Sequence, residues 1–140
     1  MSNEFKQISL KPGFMKYNGG VLFKTISQDE YHFKTTIKEN HLNAAGITHG
    51  GFIAAFVDAG AGTAAHRSTE SNPCVTVSLE LKFITTVRLG QKLVGETKIQ
   101  KKTKSMVFLT CELSVEDKIV ATASGVWKIL KKLPGTGSAG

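Results

Sequence analysis

With 140 residues, the chain has the length of one domain, enough to bury a core without disulfides or a structural metal. Its 41% hydrophobic and 21% charged residues are ordinary for a globular protein, and no apolar run reaches the roughly 18 residues of a membrane-spanning helix. The formal charge of +7 asks for an anionic partner, but no nucleic-acid recognition motif is present and aromatics are not interleaved with the basic residues.

The N-terminus, Met1 to Lys6, lacks the apolar core of a secretory signal. Cys74 and Cys111 lie in strand-like runs, where buried free thiols fit a reducing compartment, so a cytoplasmic protein is expected. Residues 1–19 are read as an N-terminal segment, 20–132 as the folded domain, and 133–140, small and polar, as a flexible tail.

Val21 to Ile26 and Tyr31 to Lys38 read as two short strands around the turn-forming Ser27 to Glu30. A polar, glycine-rich loop then leads into an apolar run from Gly50 to about Arg67. The length of that run, its alanines and its few β-branched residues predict a helix. Gly51, Gly60 and Gly62 each disfavour a helix by about 1 kcal/mol against alanine, so another backbone is expected to approach them closely. The run is apolar nearly all round and should be wrapped on most sides.

Asp58 is the only charge between Gly50 and Ala65. An ionised carboxylate in apolar surroundings costs several kcal/mol without a partner, which makes Asp58 a candidate for chemistry. An aspartate at a helix edge, satisfied by a neighbouring hydroxyl, is the alternative.

Four strand-like runs follow the turn from Ser68 to Pro73: Cys74 to Val87, Lys92 to Lys102, Ser105 to Glu116 and Lys118 to Leu130. In the first, alternation puts Val75, Val77, Leu79, Leu81 and Phe83 on one face and Thr76, Ser78, Glu80 and Lys82 on the other. The links are short, so the four are expected to be antiparallel neighbours. Two strands, one long buried helix and four long strands form an α+β architecture, a curved antiparallel sheet wrapped around a central helix, called the hotdog fold.

The loop reads His41-x-Asn43-x-x-Gly46-x-x-His49-Gly50-Gly51, with Asp58 seven residues after Gly51. This resembles the signature of the hotdog acyl-CoA thioesterases of the phenylacetate-degradation (PaaI-like) type, over roughly residues 20 to 130. The resemblance implies hydrolysis of an acyl-CoA thioester to free acid and CoA, without a cofactor. It assigns Asp58 as general base or nucleophile and the Gly50 N–H as the donor that polarises the thioester carbonyl. It also implies that Asn43 positions substrate or water, that His49 supports the loop, and that Thr76 supplies a hydroxyl near the acid.

Residue chemistry agrees. The first turn of a helix has free N–H groups and a partial positive charge, which suit a developing oxyanion. Glycine at positions 50 and 51 lets substrate come close to the backbone. Without the family, Asn43 is more often a turn or capping residue, and Gly46 serves the turn through positive φ. Thr76 reaches the site only if its strand face lines a subunit interface. Phe52, Phe56 and Phe83 fit pocket walls and core equally. His41, His49 and His66 have no zinc spacing, so no metal site is expected.

Gly50 and Asp58 are eight residues apart, about 12 Å along a helix axis. One scissile bond does not easily touch both groups of one chain. A homodimer is therefore expected, with antiparallel helices and sites that combine Asn43 and Gly50 of one chain with Asp58 of the other. The resemblance adds pairing of dimers into tetramers. The lysines split into Lys98, Lys101, Lys102 and Lys104 and Lys128, Lys131 and Lys132. Lys101, Lys102 and Lys104 are candidates for CoA phosphates, and a solvated hairpin explains them as well. A non-catalytic acyl-CoA-binding module on the same fold is the competing reading. It would leave a buried base without a purpose.

Overall fold

The computed structural model describes residues 4–131. The predicted tail at 133–140 and Lys132 lie outside the described residues. In chain order the elements are β1 (Lys6–Gln7), α1 (Phe14–Tyr17), β2 (Leu22–Thr25), β3 (Glu30–Thr36), α2 (Gly50–Ser68), β4 (Cys74–Phe83), β5 (Lys92–Lys102), β6 (Met106–Val115) and β7 (Lys118–Ile129). All seven strands form one antiparallel sheet in the order β1-β2-β3-β5-β6-β7-β4, with α2 as the long central helix. This is the hotdog arrangement expected from the element order.

The core lies between sheet and helix, where Phe33 of β3 meets Phe56 of α2 with ring centroids 4.8 Å apart. The helix glycines have a local cause. A methyl group added at Gly60 or at Gly95 of β5 would overlap the Phe33 ring, so Phe33 is seated between helix and sheet only because both positions are bare. Gly62 faces the Trp127 indole, whose Nε1 would lie 3.2 Å from an added Cβ. The space at Gly60 and Gly62 is thus taken by aromatic side chains of the chain's own sheet, not by the second backbone expected there.

Two sequence expectations need correction. Strands β4 and β5 are not neighbours, because β4 pairs with β7 at one edge while β5 lies between β3 and β6. Strand β4 ends at Phe83, and residues 84 to 91 cross over instead of turning back. The backbone groups along that crossover bond to different partners: Ile84 N–H donates to Val120 O, Val87 O accepts from Thr48 N–H, and Gln91 O accepts from Ile37 N–H. Val87 itself is buried.

The alternation in β4 also breaks. A bulge between Thr76 and Ser78 puts Thr76 opposite Trp127, whereas Leu79 and Leu81 lie opposite Gly125 and Ala123. Directly paired residues share a face, and Trp127, Gly125 and Ala123 are all buried. Leaving Val77 as the extra residue therefore moves Thr76 onto the helix-facing side.

The N-terminal segment joins the sheet through β1 and packs Ile8 and Met15 on the core. His41 fastens it. Its Nδ1 accepts from Lys38 N–H at 2.9 Å, its Nε2 meets Asn18 O at 2.6 Å, and its ring stacks on Phe52 at 3.8 Å. Asn18 O can only accept, so Nε2 is the donor of that bond.

Candidate active site

The loop before α2 is shaped by its own polar groups. Asn43 Oδ1 accepts from Ala45 N–H at 2.9 Å and Ile47 N–H at 3.3 Å, an Asx-type turn, and Gly46 supplies φ +80. The side-chain oxygen of Asn43 is therefore engaged. Its amide NH₂ makes no hydrogen bond among the described residues and is available as a donor.

His49 is the N-cap of α2, and its Nδ1 accepts from Gly51 N–H at 2.8 Å. His49 O accepts from Phe52 N–H at 3.0 Å and Ile53 N–H at 3.2 Å. Of the four N–H groups that open the helix, only that of Gly50 has no partner among the described residues. It lies at the positive end of a 19-residue helix. Phe83, 55% exposed, stands beside it, with its ring 3.5 Å from where a Gly50 Cβ would be. Phe52 and Phe56, the other two candidate walls, are core residues.

Two turns further on, α2 presents Asp58. Thr76 Oγ1 donates to Asp58 Oδ1 at 2.6 Å, which ties helix to strand. Without the bulge at Val77, Thr76 would face away. Asp58 is exposed within this chain, because the face of α2 that runs through Gly51, Ala55 and Asp58 is the one that the sheet leaves open. The apolar burial expected for Asp58 is thus not supplied by its own subunit.

Asp58 and Thr76 open into a cleft of about 380 Å³. It is lined by Ala55, Ala59 and Gly62 of α2 and by Val75 and Trp127 of the sheet. Phe14 and Met15 of α1 line it too, and the sequence assigned them no role. The apolar pair Phe14-Met15 after Pro12-Gly13 is too short a pattern to have found them. Cys74 also lines the cleft, and burial raises its thiol above the ordinary range, which keeps it protonated rather than nucleophilic.

The lysine candidates divide. Lys102 Nζ donates to Ser68 O at 2.8 Å and so caps the C-terminus of α2, whereas Lys101 and Lys104 are exposed and make no hydrogen bond among the described residues. The three histidines weighed as ligands are engaged locally, His66 through Nδ1 to Asn72 O at 2.7 Å. A set not considered from the sequence, Glu30, His32 and Glu96 on the outer sheet face, brings its donor atoms within 4.8 Å of one another. His32 Nε2 lies 2.8 Å from Glu30 and 3.7 Å from Glu96.

The thioesterase superfamily profile matches residues 45–122, which span the Gly50 turn, Asp58 and Thr76. A Pseudomonas aeruginosa protein named as a candidate esterase is 37% identical over 94 residues, 66% of this chain and 70% of that protein. Acyl-coenzyme A thioesterase 13 of Mus musculus is 24% identical over 103 residues, 74% of each chain. Among solved structures, a variant of the phenylacetic acid degradation protein PaaI of Thermus thermophilus superposes with a TM-score of 0.76 at 21% identity, over 84% of this chain and 98% of that one.

Proposed function

The chain belongs to the thioesterase superfamily, and from that membership we propose that it hydrolyses acyl-CoA thioesters to a free acid and CoA. One observation carries the assignment of residues. The carboxylate oriented by Thr76 and the unbonded Gly50 N–H are the two groups that thioester hydrolysis requires, a base and an oxyanion donor.

In this reading the thioester carbonyl points at the Gly50 N–H, which strengthens its bond as negative charge develops on oxygen. Asp58 takes a proton from a water that attacks the acyl carbon, the C–S bond breaks, and the departing CoA thiolate takes up that proton. If Asp58 attacks the carbon itself, the C–S bond breaks to leave a mixed anhydride, which a water then hydrolyses to free acid and restored Asp58, and the proton that water releases goes to the CoA thiolate. Thr76 holds one carboxylate oxygen and leaves the other for the reaction. The Asn43 amide donates to substrate or water, His49 fixes the turn through Gly51, and Gly51 lets the substrate pass close to the backbone. Side chains and water suffice, without a cofactor.

Gly50 and Asp58 of one helix remain about 12 Å apart along the axis, which favours a site shared between two subunits. The open face of α2, the edge position of β4 and the exposed Val77 (55%), Phe83 (55%) and Ile84 (59%) beside it support a homodimer built there. Such a partner would supply the burial that Asp58 lacks. Pairing of dimers and a cytoplasmic location belong to the same proposal. Lys101 and Lys104 are the cations offered to CoA phosphates.

Thiol release from a panel of acyl-CoA esters, by wild type and Asp58→Asn in parallel, tests the reading. Turnover that the folded variant loses supports it. Tight binding with no turnover of any ester would point to a binding module instead.

A further inference from the structure

The activity requires a place for the acyl group; which part of this chain encloses it is a separate matter. We infer that the N-terminal segment is that enclosure: Phe14 and Met15 close an acyl-binding cleft beside Asp58, and Ala59 sets how far an acyl chain can extend in it. This rests on Asp58 acting at the thioester.

Two clefts meet at this point. The one that holds Asp58 and Thr76, about 380 Å³, is lined apart from those two almost entirely by apolar or small groups, which suit a hydrocarbon chain better than the amide-rich pantetheine arm. The second, about 540 Å³, runs between the N-terminal segment and the later turns of α2. Phe14, Met15 and Ala59 line both. A chain that enters beside Asp58 therefore passes over Ala59 and under Met15 to reach the second cleft. There, half-buried Ile8, Thr63 and His66 share the lining with exposed Lys11, Lys16 and Arg67.

Small side chains along the floor keep this route open. Ala55, Ala59 and Gly62 are the half-buried α2 residues of the first cleft's lining, and Ala59 is the one that the two clefts share, so a larger residue at position 59 would narrow both. Met15 is held against the core and forms the fixed part of the roof, while Phe14, 62% exposed, forms its outer lip. All of α1 lies outside the region of the superfamily match, residues 45–122. The roof is therefore supplied by this chain's N-terminal segment, whereas Ala59 of the floor lies within the matched region.

The test is kcat/KM for straight-chain saturated acyl-CoAs from butyryl to hexadecanoyl, for wild type, Ala59→Leu and Phe14→Ala. For Ala59→Leu, the ratio of the longest to the shortest hydrolysed substrate should fall at least about tenfold, the equivalent of about 1.4 kcal/mol. Phe14→Ala changes an exposed side chain and should fold normally, and it should flatten the length profile. An unchanged profile in both variants, or a loss equal at every length, overturns the inference. If wild type hydrolyses none of the esters, the thioesterase reading fails instead, and the two failures are distinct.

Discussion

The Thr76 hydroxyl lies 2.6 Å from the Asp58 carboxylate, a contact between the first half of an edge strand and the middle of the central helix. A donor fixed at that distance orders the carboxylate without neutralising it. Asp58→Asn should lower kcat about 10² to 10⁴-fold, the range for loss of a positioned general base. Thr76→Ala removes a hydrogen bond to a charged group, about 1.5–3 kcal/mol, and should cost about tenfold or more. Steady-state thiol release on folded variants measures both.

If the two catalytic groups come from different chains, inactive subunits should rescue each other. Mixing Asn43→Ala with Asp58→Asn leaves each heterodimer one site with all native groups. Its turnover should be about half that of wild type per dimer, because a two-fold interface has two equivalent sites. Verified heterodimers with no activity would rule out shared sites.

The Phe33 ring occupies the space that a side chain at Gly60 would need. Gly60→Ala gains the helix propensity of alanine but forces overpacking, so a net loss of about 1–3 kcal/mol is expected. Gly62→Ala faces an indole edge at 3.2 Å and should lose less. Urea unfolding of both variants checks the order.

Burial pushes the Cys111 thiol from its ordinary 9.0 up to about 12. The unfolded chain releases this proton first, so between those values it binds fewer protons than the native state. Folding stability should therefore be intact below the ordinary thiol value and fall as pH rises towards the native one, by up to about 1.4 kcal/mol per pH unit. Cys111→Ala should flatten that decline in denaturant titrations. In the native protein, Cys111 should resist alkylation at neutral pH.

If exposed lysines hold CoA phosphates, added salt should raise KM for CoA esters and leave kcat nearly unchanged. Lys101→Ala and Lys104→Ala should reduce that salt response. Lys102→Ala should instead lower stability, because its ammonium is bonded to the end of α2.

The site's loop and helix were legible because their chemistry is local. Asn43 and Gly46 shape the turn, His49 caps the helix through Gly51, and α2 begins at Gly50, as the length of the run, its alanines and its few β-branched residues predict. The face of Thr76 was not legible, since it depends on a bulge set by pairing with β7, far away in sequence. Short spacing also suggested that β4 and β5 are partners, yet the polar groups of the crossover are claimed by Ile37 just after β3, the pre-helix loop and β7. The N-terminal segment gave too short a pattern to predict β1 or α1. Only the fold shows Met15 above the helix face that carries Asp58.

Phe33, Gly60 and Gly95 belong to three separate elements yet share one volume. Their mutational histories should be coupled accordingly. A larger residue at either glycine becomes acceptable only once the aromatic has shrunk, and a smaller residue at 33 leaves a void that the glycines can then fill. Neutral drift at these positions should proceed in compensating pairs, and the first step of each pair should be the rare one.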